Sequence, residues 1–191
     1  MPANSARNYI VKVALSVFGR LGFAKTTMND IALASKKGRR TIYQYFKNKG
    51  EVYKAVIEDE TEKLISHLLP ILESDRSPGD KLKQYFMLRV KIIYRLADEN
   101  QAIKYGFLHD YKRIERIRYL FDDRDYKLTI RILQEGIDKG IFHSENVELT
   151  AKNIGMAARS LEKECIGLNY NQACKKQMEN FIQLIIHGLQ V

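Results

Sequence analysis

The sequence predicts an all-α protein, and three observations support that prediction. Apolar residues recur at positions i, i+3, i+4 and i+7 along most of the 191 residues, which is the spacing of amphipathic helices. The three prolines stand at positions 2, 70 and 78, so most of the backbone is free to be helical. No stretch alternates apolar and polar residues in the way that is typical of a half-buried strand.

The first two predicted helices are marked by an apolar stripe and by capping residues. Residues 10–21 carry the stripe, and Gly22 follows it where a C-terminal cap is expected. Thr27 and Asp30 have the spacing of a capping box. We therefore expect a second helix to begin there and to run through Ile31 and Ala34.

A third predicted helix follows the second after a very short turn. The second helix is expected to end near Ser35 and the third to start at Arg39, with Lys-Lys-Gly at 36–38 between them. Two short helices joined by such a glycine-containing turn form a helix-turn-helix. Asn48 and Glu51 offer a second capping pair, which opens a fourth helix.

A linker is predicted after the fourth helix. Pro70 and the polar residues 74–80 interrupt the helical spacing. Beyond them the spacing predicts helices at about 81–97, 101–121, 125–139 and 147–165, followed by a C-terminal helix with an apolar face from Met178 to Leu189. We therefore expect two domains, residues 5–65 and residues 78–191.

Basic charge is concentrated in the first fifty residues. They hold ten Lys or Arg and a single acid, Asp30, which accounts for the whole net charge of +9. A basic end on a neutral body is typical of a protein that contacts a polyanion with that end. No apolar run approaches the ~18 residues of a membrane span. The N-terminal residues lack the apolar stretch of a signal peptide, so we expect a cytoplasmic protein without membrane contact.

The predicted third helix has two different faces. Ile42 and Phe46 lie one turn apart and are expected to face the core. Arginine can bind guanine through two hydrogen bonds and glutamine can bind adenine, whereas lysine and tyrosine reach phosphates. The opposite face of the helix holds these residue types: Arg40, Tyr43, Gln44 and Lys47.

This segment resembles the TetR family of transcriptional repressors. The resemblance covers roughly residues 5 to 65, without a gap, and it is carried by Phe18, Gly22-Phe23, Thr26-Thr27-Met28, Asp30-Ile31-Ala32 and the run TIYQYFKNK at 41–49. It implies a DNA-binding domain of three helices and the start of a fourth, in which residues 36–45 present the recognition element to the major groove. It also implies that the C-terminal helices bind a small ligand and form a homodimer.

The resemblance and the exposed face together predict the residues that contact DNA. By the resemblance, Thr27, Tyr43 and Lys49 hold phosphates. The full predicted set is Thr27, Lys36, Lys37, Arg39, Arg40, Thr41, Tyr43, Gln44, Tyr45, Lys47 and Lys49.

The chain departs from the family pattern in the turn. Lys36-Lys37-Gly38 stands where the family usually has Gly-Val-Ser, and Arg40 stands where a small residue is usual. Gly50 replaces the usual acid. The turn therefore gains cations, and the operator sequence cannot be transferred from any relative.

Aromatic residues crowd the predicted middle helices, where they could line a ligand pocket or form an ordinary core. Arg89 shares the helical spacing of its apolar neighbours, so it could point inward. An inward arginine needs an anionic partner, either an acid of the protein or a ligand, whereas one at the edge of the stripe would reach solvent. The residues predicted to line a pocket are Phe86, Arg89, Tyr105, His109 and Tyr126.

The last two predicted helices have the features of a subunit interface. Small residues at 155, 157 and 158 permit a close approach of helices, and the final helix carries a long apolar stripe. A dimer would also place two recognition helices on a palindromic site. The alternative is that both stripes pack within one subunit.

The sequence offers no catalytic, metal or cofactor motif. Cys165 and Cys174 lack the C-x-x-C spacing of zinc sites, and the four histidines are scattered. We therefore predict no enzyme and no cofactor. The predicted function is a homodimeric repressor that a small-molecule effector releases from a palindromic operator in double-stranded DNA. A ligand-dependent activator, a nonspecific architectural DNA-binding protein and a protein-binding adapter remain alternatives.

Overall fold

The computed structural model describes residues 2–100, 103–104, 111–167 and 170–191. Within these ranges the chain is almost entirely helical, and its only extended pairing is an isolated bridge, which confirms the predicted all-α fold. The helices are α1 (Pro2–Lys25), α2 (Met28–Ala34), α3 (Arg39–Tyr45), α4 (Lys49–Leu72), α5 (Pro78–Glu99), α6 (Tyr111–Asp138), α7 (Val147–Gly167) and α8 (Gln172–Leu189).

The N-terminal helices share one apolar core. Its fully buried members come from four successive helices: Ile10, Ala14 and Phe18 of α1, Ile31 of α2, Ile42 of α3 and Val52 of α4. The regular turns of α1 are interrupted at Gly22, whose φ of 75° lies in the left-handed region that glycine favours. The chain therefore changes direction at this glycine before it enters α2.

Helix α4 passes through Pro70 and ends at Leu72, although the sequence predicts an end at that proline. Proline has no N–H to donate to the carbonyl of Ser66, so the helix lacks one hydrogen bond at Pro70. Ile71 and Leu72 are both buried, so their packing favours the additional helical residues.

Helix α5 starts slightly earlier than predicted, at Pro78. The hydroxyl of Ser77 donates to Asp80 Oδ2 over 2.7 Å and accepts from Asp80 N over 3.1 Å, so Ser77 caps the helix. Proline suits the first helical position because its φ is already helical and its missing N–H would have no partner there.

Helix α6 is continuous where the sequence predicts one helix ending near 121 and another starting near 125. The intervening residues, Asp122, Asp123 and Arg124, are polar but include no glycine or proline. Lys127 Nζ lies 2.7 Å from Asp123 Oδ2, an i, i+4 pair that supports helix in this stretch. The prediction of a boundary in this short polar run is therefore wrong.

The chain reverses direction after α6, and the residues that follow the turn bind back to the last turn of that helix. Gly140 has a φ of 66°, and the amides of Ile141 and Phe142 both donate to Gly136 O. The buried Phe142 ring occupies the space where a side chain at Gly136 would project. His143 N donates to Leu189 O over 2.7 Å, and Phe142 forms an antiparallel bridge with residue 190.

The chain forms two compact units, and neither is one contiguous stretch of sequence. One unit comprises Met1–Glu62 with Leu96–Arg118, and the other comprises Lys63–Arg95 with Tyr119–Val191. The domain ranges 5–65 and 78–191 stay a prediction. Among the described residues, no helix is long and apolar enough to cross a membrane. Those same residues include no group of side chains suited to hold a metal ion.

Candidate nucleic-acid interface

The helix-turn-helix begins with a capping box at α2. Thr27 N donates to Asp30 Oδ2 over 2.8 Å, and Asp30 N donates to Thr27 Oγ1 over 3.2 Å, so the predicted box is present. The Thr27 hydroxyl also donates to Asp30 Oδ2 over 2.7 Å. These hydrogen bonds from Thr27 hold the pKa of the Asp30 carboxyl below its ordinary value.

The turn between α2 and α3 holds a lysine in a conformation that glycine normally adopts. Lys36 has a φ of 51°. Its amide donates to Leu33 O and the Lys37 amide donates to Ala32 O, both over 3.1 Å, which is the pairing of a Schellman motif. Glycine is usual at the Lys36 position of that motif, because the left-handed conformation costs other residues about 1–2 kcal/mol. The turn therefore retains an exposed cation at a site of backbone strain.

Helix α3 faces the core with one side and solvent with the other. Ile42 and Phe46 are buried, as the sequence predicts, and Tyr43 is 52% exposed. Arg40, Gln44 and Lys47 are exposed beside Tyr43, together with Thr27, Lys36, Lys37 and Arg39. Thr41 and Tyr45 are half-buried. Their contacts with DNA stay a prediction.

Two of the predicted DNA-contacting cations have partners inside the protein. Arg39 Nε donates to Asn29 Oδ1 over 2.7 Å, which ties the start of α3 to α2. Lys49 Nζ donates to the carbonyl oxygens of Phe23, Ala24 and Thr26. Sequence reasoning missed Asn29, because nothing in helical spacing signals a partner ten residues away.

Arg89 of α5 points inward and meets acids of the protein. It is fully buried, with Nε 3.2 Å from Asp125 Oδ1 and Nη2 3.1 Å from Glu162 Oε2. The Tyr85 hydroxyl donates to Asp125 Oδ1 over 2.6 Å. Burial opposes the charged guanidinium, but the carboxylates of Asp125 and Glu162 outweigh it, so the pKa of Arg89 is raised. Of the two directions that the sequence left open, the structure selects the inward one.

The other predicted pocket residues differ in position. Phe86 is buried, and the Arg89 guanidinium lies 5.6 Å from its ring centroid. Tyr126 of α6 is half-buried. Tyr105 and His109 lie outside the described residues. Burial and the neighbouring carboxylate raise the pKa of Tyr85, a residue absent from the predicted set, so its hydroxyl stays protonated as a donor.

Comparison with known proteins agrees with this geometry. Residues 10–56 match the family described as bacterial regulatory proteins, tetR family. Over 146 residues the chain is 27% identical to the HTH-type transcriptional repressor KstR2 of Mycolicibacterium smegmatis, a match that covers 74% of this chain and 69% of that protein.

Solved structures share the fold over nearly the whole chain. A TetR-family transcriptional regulator from Pectobacterium atrosepticum has a TM-score of 0.75 at 19% identity, covering 100% of this chain and 96% of the other. SmeT in complex with triclosan has a TM-score of 0.75 at 16% identity, covering 98% of this chain and 92% of the other. At these identities the likeness is one of fold.

Proposed function

This chain belongs to the TetR family of bacterial regulatory proteins and is a transcriptional regulator, and from that premise we propose that it is a homodimeric repressor released from its operator by a small molecule. The observation that carries the DNA-binding part is the exposed polar face of α3 beside a turn of cations. Its proposed site of action is the cytoplasm, where the DNA is. The proposed contacts with DNA are Thr27, Lys36, Lys37, Arg39, Arg40, Thr41, Tyr43, Gln44, Tyr45 and Lys47.

The proposed contacts divide into those that read bases and those that hold phosphates. Arg40 and Gln44 are exposed on α3 and have the donors and acceptors that distinguish base edges in the major groove. Lys36, Lys37 and Lys47 are exposed cations that suit phosphates, which position the protein without reading sequence.

A dimer is supported by apolar residues that α7 and α8 leave exposed. Leu149 and Met156 lie two turns apart on α7 and are 53% and 55% exposed, while Leu184 of α8 is 65% exposed. Both helices also bury an apolar side within the subunit. A second copy that covers the exposed side would give the two recognition helices a two-fold relationship, which suits half-sites ~34–36 Å apart.

An effector site is supported by the fold and by the buried side chains of the C-terminal helices. SmeT has this fold and binds triclosan. The proposed effector site comprises aromatic rings and a few polar groups: Phe86, Arg89, Tyr105, His109 and Tyr126. A typical coupling of about 1–3 kcal/mol between effector and DNA would lower operator affinity about 5- to 150-fold.

The deciding experiment is selection of bound duplexes from a random pool at moderate salt, followed by sequencing. An enriched palindrome is expected, together with a dimer mass in light scattering. Arg40→Ala and Gln44→Ala should relax the preference at particular base pairs, whereas Lys47→Ala should weaken binding to all sequences alike. Binding without enrichment would overturn the repressor proposal in favour of an architectural protein.

A further inference from the structure

Three backbone carbonyl groups converge where α1 ends and the chain turns into α2. The backbone changes direction at Gly22, where the helical φ/ψ of α1 is interrupted. The buried Thr26 binds back to this residue, because its N and Oγ1 both donate to Gly22 O, over 3.2 and 2.7 Å. Beyond this break, the carbonyl oxygens of Phe23, Ala24 and Thr26 lie around one point. The C-terminal end of a helix carries partial negative charge, so such a point attracts a cation.

The cation at this point is the ammonium of Lys49. Its Nζ lies 3.0 Å from Phe23 O, 2.9 Å from Ala24 O and 2.9 Å from Thr26 O. An ammonium has three N–H donors, so these three acceptors use all of them. The Nζ also lies 4.8 Å from the centroid of the Phe23 ring, which adds a cation–π contact.

Aromatic packing holds Phe23, which supplies one of the three carbonyl acceptors, against the core. The Phe23 ring lies 5.7 Å from that of Phe18 and 5.0 Å from that of Tyr53, centroid to centroid. Phe18 and Tyr53 are buried and belong to α1 and α4. The Lys49 contact is therefore continuous with the core that joins these two helices.

The position of Lys49 in the chain gives this contact its significance. The acceptors immediately precede α2, and Lys49 is the first residue of α4. The hydrogen bonds therefore close a loop that contains both helices of the helix-turn-helix and no other helix. We therefore expect the loss of these hydrogen bonds to alter how α3 is held between α1 and α4.

We propose that Lys49 is a positioning residue, which fastens the two ends of the helix-turn-helix, and not a phosphate ligand as the resemblance implies. A phosphate contact would require its ammonium to give up carbonyl partners that already use every donor. This inference rests on the proposed DNA binding, but the contact itself can be tested without DNA.

The test compares Lys49→Met and Lys49→Arg with Lys47→Met as a matched control. Lys49→Met keeps an unbranched stem and removes the ammonium. Lys49→Arg keeps the charge, but a planar guanidinium cannot direct N–H groups at three converging oxygens. Lys47 is a nearby cation whose side chain is exposed. Each variant is measured for thermal unfolding without DNA, and for binding to operator and random duplexes over a range of salt at a temperature where it is folded.

For Lys49→Met we expect a fall of about 2–8 °C in the unfolding midpoint. We expect operator affinity to fall about tenfold, because a displaced α3 would weaken its contacts with bases, and one good base contact alone is worth a discrimination of about this size. Affinity for random duplexes and the slope of log K against log salt should not change. Lys49→Arg should lower the midpoint and the operator affinity in the same direction but by less, because its positive charge still faces the C-terminal end of α1. Lys47→Met should leave the midpoint unchanged and reduce the slope by about 0.9 for each phosphate that the variant no longer neutralises.

The opposite pattern would overturn the proposal. It consists of an unchanged midpoint, a reduced salt slope in Lys49→Met, and wild-type DNA binding by Lys49→Arg. If Lys49→Met does not fold, Lys49→Arg provides the DNA measurements. If the wild-type protein binds no DNA, the proposed function fails, while the midpoints still decide the Lys49 contact.

Discussion

The side-chain amide of Asn100 donates a hydrogen bond to the backbone carbonyl of Leu15 over 2.8 Å, which joins the end of α5 to α1. Asn100 is 3% exposed, and its Oδ1 accepts from Ile103 N over 3.1 Å. Its Nδ2 lies 3.0 Å from the point where a side chain at Gly19 would begin. The buried amide of Asn100 therefore lies against Gly19 of α1 and also binds the backbone of Ile103.

We expect Asn100→Ala to lower the free energy of unfolding by about 1–3 kcal/mol, because the variant makes neither hydrogen bond of the buried amide. Asn100→Asp is the matched variant, since its carboxylate can still accept from Ile103 N but cannot donate to Leu15 O. Urea unfolding measures both. A decrease under about 0.5 kcal/mol in both variants would show that this contact contributes little.

Replacement of Arg89 should be more costly than replacement of an exposed arginine. Arg89→Met removes the guanidinium that pairs with the buried Asp125 and Glu162, and breaking a buried pair of this kind costs about 3–5 kcal/mol. The control is Arg131→Met. Arg131 pairs with Glu73, and the two side chains are 55% and 66% exposed, so the loss of this pair should cost about 0–1 kcal/mol.

Urea unfolding of both variants measures the difference. An equal loss of stability in Arg89→Met and Arg131→Met would indicate that the buried ion pairs of Arg89 contribute no more than an exposed pair does.

Lys36→Gly should raise stability and weaken DNA binding at the same time. Glycine relieves the left-handed strain of the turn, which we expect to add about 1 kcal/mol to the free energy of unfolding. Removal of an exposed cation should lower affinity for random and operator duplexes alike.

Lys37→Gly is the matched control for that trade-off. It removes an adjacent exposed cation, but the backbone of Lys37 does not have a positive φ. DNA binding should therefore weaken without any gain in stability. Chemical denaturation and duplex titration give both quantities. Equal stability changes in the two variants would contradict the account of strain at Lys36.

Gly136→Ala should destabilise the C-terminal unit through a direct clash. A methyl group at this position would lie 2.0 Å from Cδ2 of the buried Phe142 ring. Overpacking of this kind costs about 1–3 kcal/mol or more. Gly188→Ala is the control, because nothing lies within 4 Å of its added methyl, and alanine should favour helix α8 by about 0.5–1 kcal/mol. Thermal unfolding of both variants should therefore shift in opposite directions.

Sequence reasoning succeeded where the determinants are local. The capping box of Thr27 and Asp30 and the buried face of Ile42 and Phe46 follow from spacings within one or two turns. The inward direction of Arg89 does not, because its partners Asp125 and Glu162 lie on two later helices. The same reason hid the partners of Lys49, which are backbone atoms and carry no signal in residue type.

The discontinuity of the compact units limits how this protein can be recombined with others. The unit that contains the helix-turn-helix includes Leu96–Arg118 as well as Met1–Glu62, so Asn100 and its anchor at Leu15 are encoded far apart. A cassette exchange at the linker would separate them and leave α1 with a partner of foreign sequence. A hybrid regulator built on this scaffold therefore needs two transplanted segments, one on each side of the linker.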